Sequence, residues 1–509
     1  MNVVLVYRGR YHVREALDLE TLAAVLRQGG HEVNLVYQPD TFGVTDNVLQ
    51  IPVLARLLAD DRRTVWRIVR SRPGAVVFSV LSSSFAWCRD VAAAVKQETD
   101  APVIFMGLHP SLVPERVIQG SVADYAIAGE VENVILPLLE AIRSGRDIST
   151  VGNLWHRRDG RPVFTHRAEL VDLDAQPLPD KDLFAPYVSQ RYSYSAMVSR
   201  GCPYHCSFCE ETCSKKLYGN HYFRRKRVDT VMRELAAGKR KYRFREVIFK
   251  DSYLSGNKAW LRELMGRYAQ EIAVPFKCFC TILGFDEETA RLLKEGGCYF
   301  VEFGLQTWND RVRRYVLNRM ETSEDAFRVF EACDRQRLWY DVDHMFDLPN
   351  ETREDHVLGA RCYGRLRRLG RVKVHYLLYY PTADIVDHAI AAGDLPPHAR
   401  ELLAEGNESD FYVQSAGKEQ QRRTVAAFAA LYKLLPLLPA RLREWLLQGD
   451  RVRYLRWIPS PLMVAMQGLN ALRCGDLRFF SYLLAYPRKI LWTLRDRLQP
   501  AGRPRRIAP

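Results

Sequence analysis

The sequence predicts an α/β protein built from two parallel-sheet units in series, followed by a helical C-terminal region. Three observations predict it. Over residues 1–145 short apolar strands alternate with helical stretches, the rhythm of a doubly wound sheet. Over residues 191–395 the same alternation resumes with six strands, the rhythm of a partial (β/α)6 barrel. From residue 396 onward the strands stop and only helical periodicity remains. A chain of 509 residues exceeds one ordinary hydrophobic core, so several domains are expected.

In the first unit, residues 2–7 form a short buried strand, and residues 17–28 space their apolar side chains as a helix that stops at Gly29-Gly30. Further strands are expected at 32–37, 75–80, 102–106 and 123–128, with helices through 91–96 and over 131–142. Small or polar residues follow three of these strands: Ser82, Ser83 and Ser84, then Gly107-Leu108-His109-Pro110, then Gly129-Glu130. Ligands of doubly wound sheets bind beyond the carboxyl ends of the strands, and small residues there allow close approach of a large one. His109, like His12, also reads as a polar loop residue. Residues 146–190 are expected to be a connector. It carries a hairpin turning at Asp159-Gly160 and is broken by Pro177, Pro179 and Pro186.

In the second unit, strands are expected at 194–198, 246–249, 276–280, 299–303, 339–345 and 373–379. Helices are expected at 228–235, 260–268, 286–295, 323–335 and 353–369. The first strand runs into Arg200-Gly201-Cys202-Pro203-Tyr204-His205-Cys206-Ser207-Phe208-Cys209, a C-x₃-C-x₂-C loop. Three thiolates from one loop can hold a soft metal or an iron–sulfur cluster and leave one coordination position open. A zinc site with His205 as fourth ligand is the alternative, but no second C-x₂-C occurs to complete a structural zinc fold. The 11 cysteines are an odd number and cluster only near 202–213, which fits a reducing cytoplasm and not a disulfide framework. Cys213, Cys278, Cys280 and the scattered others read as small buried hydrophobes.

Residues 396–509 read as helices at 422–435, 440–447, 462–472, 477–485 and 489–498, with a disordered end over 501–506. The basic balance belongs here: residues 418–509 carry 18 Lys/Arg against 5 Asp/Glu, so nearly all of the net +14 sits in the tail. Arg453-Tyr454-Leu455-Arg456-Trp457 interleaves aromatic and basic residues, a pattern for peripheral membrane contact or for a helical cap with a solvated arginine face. No nucleic-acid-binding motif occurs, and no nucleic acid partner is expected. The N-terminal apolar run is too short for a secretory signal, and no stretch is long enough to span a bilayer. The expected location is cytoplasmic, peripheral to a membrane at most.

The cysteine loop resembles the motif of the radical S-adenosylmethionine superfamily. Residues 1–145, with Gly107-x-His109-Pro110 and Asp124-Tyr125-x-x-x-Gly129-Glu130, resemble the Rossmann-like cobalamin-binding domain found ahead of radical S-adenosylmethionine domains. The resemblance covers roughly residues 1–395. It implies that Cys202, Cys206 and Cys209 ligate a [4Fe–4S] cluster whose fourth iron takes S-adenosylmethionine, with Phe208 beside the adenine and Asp251 facing the cofactor. Cobalamin-linked relatives often show Gly-x-Glu-Ser where this chain has Gly304-Leu305-Gln306. Gln306 puts an amide in place of the carboxylate, and the amide can still hydrogen-bond the methionine group or ribose. Ser82, Ser83, Gly107, His109, Gly129 and Glu130 would meet cobalamin. The D-x-H-x-x-G motif is absent from residues 1–145, so cobalamin would lack a histidine on its lower face. Asp347-Leu348-Pro349-Asn350-Glu351-Thr352 resembles the family's Gly-x-Pro-Gly-Glu-Thr turn, with Asp347 and Asn350 replacing glycines. It reads as a turn into a helix whose dipole favours Glu351 and Glu354.

The activity implied is reductive cleavage of S-adenosylmethionine with an electron from a flavodoxin- or ferredoxin-like donor. With cobalamin, this leads to methylation of an unactivated carbon of a small-molecule or lipid-like substrate. Cyclisation, oxidation or rearrangement on the same scaffold is the alternative. A non-catalytic iron–sulfur or zinc protein with a redox or docking role is the alternative of another class. No catalytic acid or base stands out in the sequence.

Overall fold

The computed structural model describes residues 1–9, 15–39, 51–406, 419–476 and 478–498; His12 and residues 501–506 lie outside the described residues. The chain divides into two units, one of residues 1–189, 400–408 and 481–509, the other of residues 190–399 and 409–480.

The first unit is organised by a seven-stranded sheet of β1 (Asn2–Gly9), β2 (Glu32–Pro39), β3 (Ala75–Ser79), β4 (Val103–Met106), β5 (Tyr125–Ile127), β6 (Leu154–Arg158) and β7 (Arg161–Phe164). The spatial order is β2-β1-β3-β4-β5-β6-β7, parallel through β5 and antiparallel beyond it. β3 and β4 are buried along their whole length and apolar except for Ser79, as suits strands covered on both faces. One face packs Leu19, Leu22, Leu26, Ile135 and Leu138; the other packs Ile68, Phe85, Val91 and Val95. The hairpin of residues 146–190 turns at Asp159-Gly160 as expected, both with positive φ (52° and 76°). It does not run free as a connector: β6 pairs with β5 and extends the sheet. Further on, the Lys181 ammonium pairs with the Glu20 carboxylate at 2.6 Å, both side chains fully buried.

Several features of this unit were not expected from the sequence, among them helices Leu108–Leu112, which carries His109, and Pro114–Gly120. Helices Pro52–Leu58 and Asp61–Arg70 precede β3, the second capped by Asp60, which accepts from the Arg63 amide at 2.9 Å. Residues 481–498 of helix Arg478–Leu498 also belong here. Lys489 donates to the Tyr37 hydroxyl (3.1 Å), Arg63 pairs with Asp496 (2.6 Å), and Trp492 packs on Tyr187 with ring centroids 4.6 Å apart.

The second unit holds a six-stranded parallel sheet in which every strand pairs with the next: β8 (Tyr194–Ala196), β11 (Val247–Phe249), β12 (Phe276–Cys280), β13 (Cys298–Gln306), β14 (Trp339–Phe346) and β15 (Leu369–Tyr376). A short antiparallel pair, β9 (Ser199–Arg200) with β10 (Arg224–Arg225), follows β8. The strands obey the period of two. Phe276, Cys278, Val301, Phe303, Tyr340, Val342 and Val372 face the helices and join the main core. The alternate positions carry charges instead. The tail is helical as expected: Glu419–Leu434 contributes Phe428, Leu431 and Tyr432 to this core, and Leu446 and Val452 follow from the next two helical segments. Among the described residues no helix is long and apolar enough to cross a membrane.

Candidate functional site

The cysteine loop lies between β9 and helix Glu210–Tyr218, beyond the carboxyl end of the first barrel strand. Its shape is set by backbone geometry. Gly201 has φ +83°, and a Cβ there would stand 2.8 Å from the Tyr222 ring and 3.0 Å from the Tyr222 carbonyl oxygen. The loop is then tied down along its length. The Ser207 amide donates to the Leu317 carbonyl (3.0 Å) and its hydroxyl to the Val316 carbonyl (2.5 Å). Asn318 Nδ2 donates to the His205 carbonyl (2.7 Å), and Lys215 Nζ donates to the Tyr204 carbonyl (2.8 Å).

Cys202, Cys206 and Cys209 are each partly buried, and burial pushes all three thiols up, Cys202 to about 11. Cys206 interacts electrostatically with both other thiols. The Arg319 guanidinium points Nη1 at the Cys206 sulfur, 3.7 Å away, donates from Nη2 to the Gly304 carbonyl (2.6 Å), and is paired with buried Glu321. Thiols held protonated by burial, beside a cation, are ligands waiting for a centre that takes their protons. Cys213 lies one helical turn further on and is buried, its amide donating to the Cys209 carbonyl (3.3 Å). The donor set therefore fits a cluster held by three thiolates. Among the described residues the one His, Cys, Asp or Glu triad compact enough for a single ion (ligand atoms within 4.8 Å) is not this one. The zinc alternative is correspondingly disfavoured.

Asp251 follows β11 by two residues, and its geometry gives it a definite task. Its Oδ1 accepts from the Val198 amide (2.9 Å), the Ser199 amide and the Ser199 hydroxyl (2.5 Å each), which clamps the strand entering the cysteine loop. Oδ2 is buried without a hydrogen-bond partner, and burial pushes the carboxyl up to about 6. Phe208 is half-buried in the loop. Gln306 closes β13 after a register shift between Gly304 and Gln306, with φ +71° and its side chain largely buried. Asp347 and Asn350 have φ +64° and +63°. These are the left-handed positions that explain glycine in the resembled turn, and Asp and Asn tolerate them best after glycine. The turn corrects one expectation. Helix Arg353–Tyr363 is capped by Thr352, whose hydroxyl accepts from the Asp355 amide; Glu354 lies in its first turn, whereas Glu351 precedes the cap and its side chain is buried.

The sequence reading missed the charges on the inner face of the barrel sheet. Glu302 pairs with Lys277 and with Lys373, the latter at 2.5 Å. Arg371 pairs with Asp341 (3.2 Å) and Asp476 (2.5 Å), and His375 with Asp343 (3.4 Å). Burial alone would raise Glu302, but the two ammoniums outweigh it and hold the carboxyl well below its usual range. Asp343 moves the other way, raised by burial and then by the neighbouring Glu302 charge. The missed signal was the alternation Arg371-Val372-Lys373-Val374-His375 and Asp341-Val342-Asp343: charge and apolar residue by turns, the mark of a strand with one polar face.

In the first unit, the order 2-1-3-4-5 puts the topological switch point between β1 and β3, where ligands of such sheets bind. Gly107 (φ +102°) and Gly129 (φ +113°) end β4 and β5 in conformations that favour glycine. His109 turns inward. Its Nδ1 lies 3.1 Å from the Ser82 hydroxyl and its Nε2 3.1 Å from the Ala404 carbonyl, its ring lies on Phe85, and burial lowers it to about 4. Ser82 and His109 thus satisfy each other. Glu130 is also committed, accepting from the Val171 amide at 2.8 Å. Ser83 is half-buried beside them. What this edge offers a large ligand is glycine backbone and a neutral, occupied imidazole, consistent with a cofactor bound without a histidine ligand.

Comparison with known proteins matches residues 3–139 to the B12 binding domain family and residues 197–358 to the radical SAM superfamily. An uncharacterized methyltransferase of Pyrococcus horikoshii is 26% identical over 295 residues, covering 57% of this chain and 63% of that protein. The bacteriochlorophyllide d C-8(2)-methyltransferase of Chlorobaculum tepidum is 26% identical over 263 residues, covering 50% and 54%. The chain thus spans less than two thirds of the length of these relatives. Among solved structures, the radical S-adenosylmethionine methyltransferase TsrM of Kitasatospora setae superposes with TM-score 0.60 at 20% identity over 75% of this chain and 74% of its own. The cobalamin-dependent S-adenosylmethionine radical enzyme OxsB superposes with TM-score 0.62 at 12% identity over 97% and 80%. At these identities the superpositions speak for the fold.

Proposed function

Because the chain belongs to the radical S-adenosylmethionine superfamily and carries a B12 binding domain ahead of that domain, we propose that it is a cobalamin-dependent radical S-adenosylmethionine methyltransferase. The observation that carries this reading is the three-thiol loop with Arg319 at its sulfur, seated at the carboxyl end of the barrel sheet. Cys202, Cys206 and Cys209 would hold a [4Fe–4S] cluster; Phe208 and Gln306 would flank S-adenosylmethionine; Gly107 and Gly129 would admit cobalamin to the first unit. Together the bound groups supply a hydrogen-abstracting radical and a transferable methyl group. The chain's own part is positional. Asp251 fixes the strand entering the loop, Arg319 balances thiolate charge, and the inner barrel face presents Asp343 and His375 as polar contacts for a small-molecule substrate. An external low-potential donor would supply the electron.

The test is incubation of anaerobically reconstituted protein with S-adenosylmethionine, methylcobalamin and a low-potential reductant. Deoxyadenosine and S-adenosylhomocysteine should both form, and Cys206→Ala should abolish both. Deoxyadenosine alone would favour the cyclising, oxidising or rearranging alternative. Absence of any cleavage by a cluster-loaded protein would sink the enzyme reading.

A second reading concerns where the protein works. Trp445, Tyr454 and Trp457 are exposed, and Arg451, Arg453 and Arg456 lie over them at 4.9 Å each. This pairing favours peripheral contact with an anionic membrane surface, a reading that also suits a lipid-like substrate.

A further inference from the structure

We propose that His344, Glu351 and His356 form a second metal site, one for a divalent cation of the zinc type, buried on the helical side of the barrel sheet. His344 comes from β14, on the face opposite Asp343; Glu351 comes from the turn after that strand; His356 comes from helix Arg353–Tyr363. One ligand atom from each lies within 4.8 Å of the other two. His344 is 1% exposed and His356 5% exposed, and the Glu351 side chain is 3% exposed.

One polar atom of each residue in the cluster has no use within the protein. His344 Nε2, Glu351 Oε1 and His356 Nδ1 are all buried without a hydrogen-bond partner. Leaving one such atom unpaired is costly, and leaving three facing one another is rare in a native fold. Nor do they bond each other: His356 Nδ1 and Glu351 Oε1 are 3.8 Å apart, too far for a hydrogen bond. That separation suits donors sharing an ion, since a cation about 2.1 Å from each donor keeps them roughly 3.4 Å apart.

The surroundings prepare the donors. The Tyr363 hydroxyl lies 3.1 Å from His344 Nδ1. If it accepts that N–H, the imidazole is pinned in the tautomer that turns the Nε2 lone pair into the cluster, as metal-bound histidines are commonly held. The Tyr432 hydroxyl donates to the His356 carbonyl at 2.8 Å and fixes the helix. Phe346, Phe428 and Tyr432 crowd the two imidazoles, with centroids 4.7 to 5.2 Å from theirs, and shield them from bulk solvent. Two neutral imidazoles and one carboxylate are a zinc donor set, with a fourth position for water. Such an ion would join β14, the turn carrying Asp347 and Asn350, and the following helix into one body.

The experiment must separate this site from the cysteine loop. Full-length protein with Cys202, Cys206 and Cys209 all changed to Ser is loaded with zinc, dialysed and analysed by mass spectrometry for metals. About one equivalent should remain. Adding Glu351→Gln or His356→Gln should reduce it at least tenfold. No retained zinc in this triple-Ser protein would mean the cluster is filled by water and would overturn the proposal, as would zinc that survives the Glu351 and His356 changes. Cobalt(II) titration of the triple-Ser protein covers variants that misfold. Visible ligand-field bands without thiolate charge transfer support the site; a silent spectrum or a thiolate band refutes it.

Discussion

Arg319 is the residue through which this chain acts most directly on its cysteine loop. A unit charge 3.7 Å from the Cys206 sulfur, at an effective dielectric near 20, is worth about 4 kcal/mol. For a one-electron couple that is on the order of 100 mV, less what Glu321 cancels. A nearby cation favours the more negative, reduced state. Arg319→Gln should therefore lower the midpoint potential of the reconstituted cluster by roughly 50–100 mV, with Arg319→Lys retaining most of it. Redox titration followed by electron paramagnetic resonance would read this, and an unshifted potential would remove Arg319 from the argument. Asp251 makes a prediction of the opposite kind, about stability. Burial raises its carboxyl from 3.8 to about 6. Between those values the folded chain keeps a proton that the unfolded chain has lost, so the contribution is present in full below pH 4 and disappears as pH rises through 6. Asp251→Asn should flatten that fall, worth about 2–3 kcal/mol, in denaturant titrations of the cluster-free protein at pH 4 and pH 7. Equal pH slopes for both proteins would refute it. At this scale the motif spelled out the three cysteines, whose spacing is local. It could not spell out Arg319, which reaches Cys206 from 113 residues away, nor the inward turn of His109, which depends on a carbonyl 295 residues further along the chain.

The element that decides whether those cysteines meet is the turn at Gly201. Its φ of +83° and the Tyr222 atoms 2.8 to 3.0 Å from any added Cβ leave no room for alanine. The strain of such a substitution, about 1–3 kcal/mol, falls on the loop and not on the sheet. Gly201→Ala should accordingly keep its circular dichroism spectrum but hold less than half of the iron after reconstitution; full iron loading would show that the loop absorbs the change. The barrel strands were legible because each is a short apolar run between helical stretches, and all six recur in the sheet. Helix Asp61–Arg70 was not legible, because half of its residues are charged and it buries only Arg63, Thr64 and Ile68. The edge hairpin was visible as a hairpin, yet nothing in its own residues states which sheet it joins. The glycine positions of the 347–352 turn were legible only as a departure from the resembled pattern, and the positive φ at Asp347 and Asn350 supplies the reason.

At the scale of the molecule, what composition placed correctly was charge. Nearly all of the net +14 falls in residues 418–509, but the structure divides that tail by use. Lys489 and Asp496 are consumed in the first unit's core and its ion pairs. In the second unit, by contrast, Trp445, Tyr454 and Trp457 stay exposed with arginines stacked over them, and Leu462, Leu469 and Leu472 are exposed on the next helix. Arginine over an exposed ring gains only about 0.5–1 kcal/mol, too little to explain why three rings remain in water. Near an anionic bilayer each arginine gains about 1 kcal/mol more, and the indole rings find the interface they prefer. Changing Arg451, Arg453 and Arg456 together to Gln should then cost about 3 kcal/mol, roughly a hundredfold in partitioning onto anionic phosphatidylglycerol vesicles at low salt. Wild-type binding itself should fall as ionic strength shortens the Debye length below ~10 Å. Flotation of the full-length protein with anionic and with neutral phosphatidylcholine vesicles reads both effects. Equal recovery of wild type and variant on anionic vesicles, or no flotation of either, would leave the exposed rings as the outer face of a helical cap and nothing more.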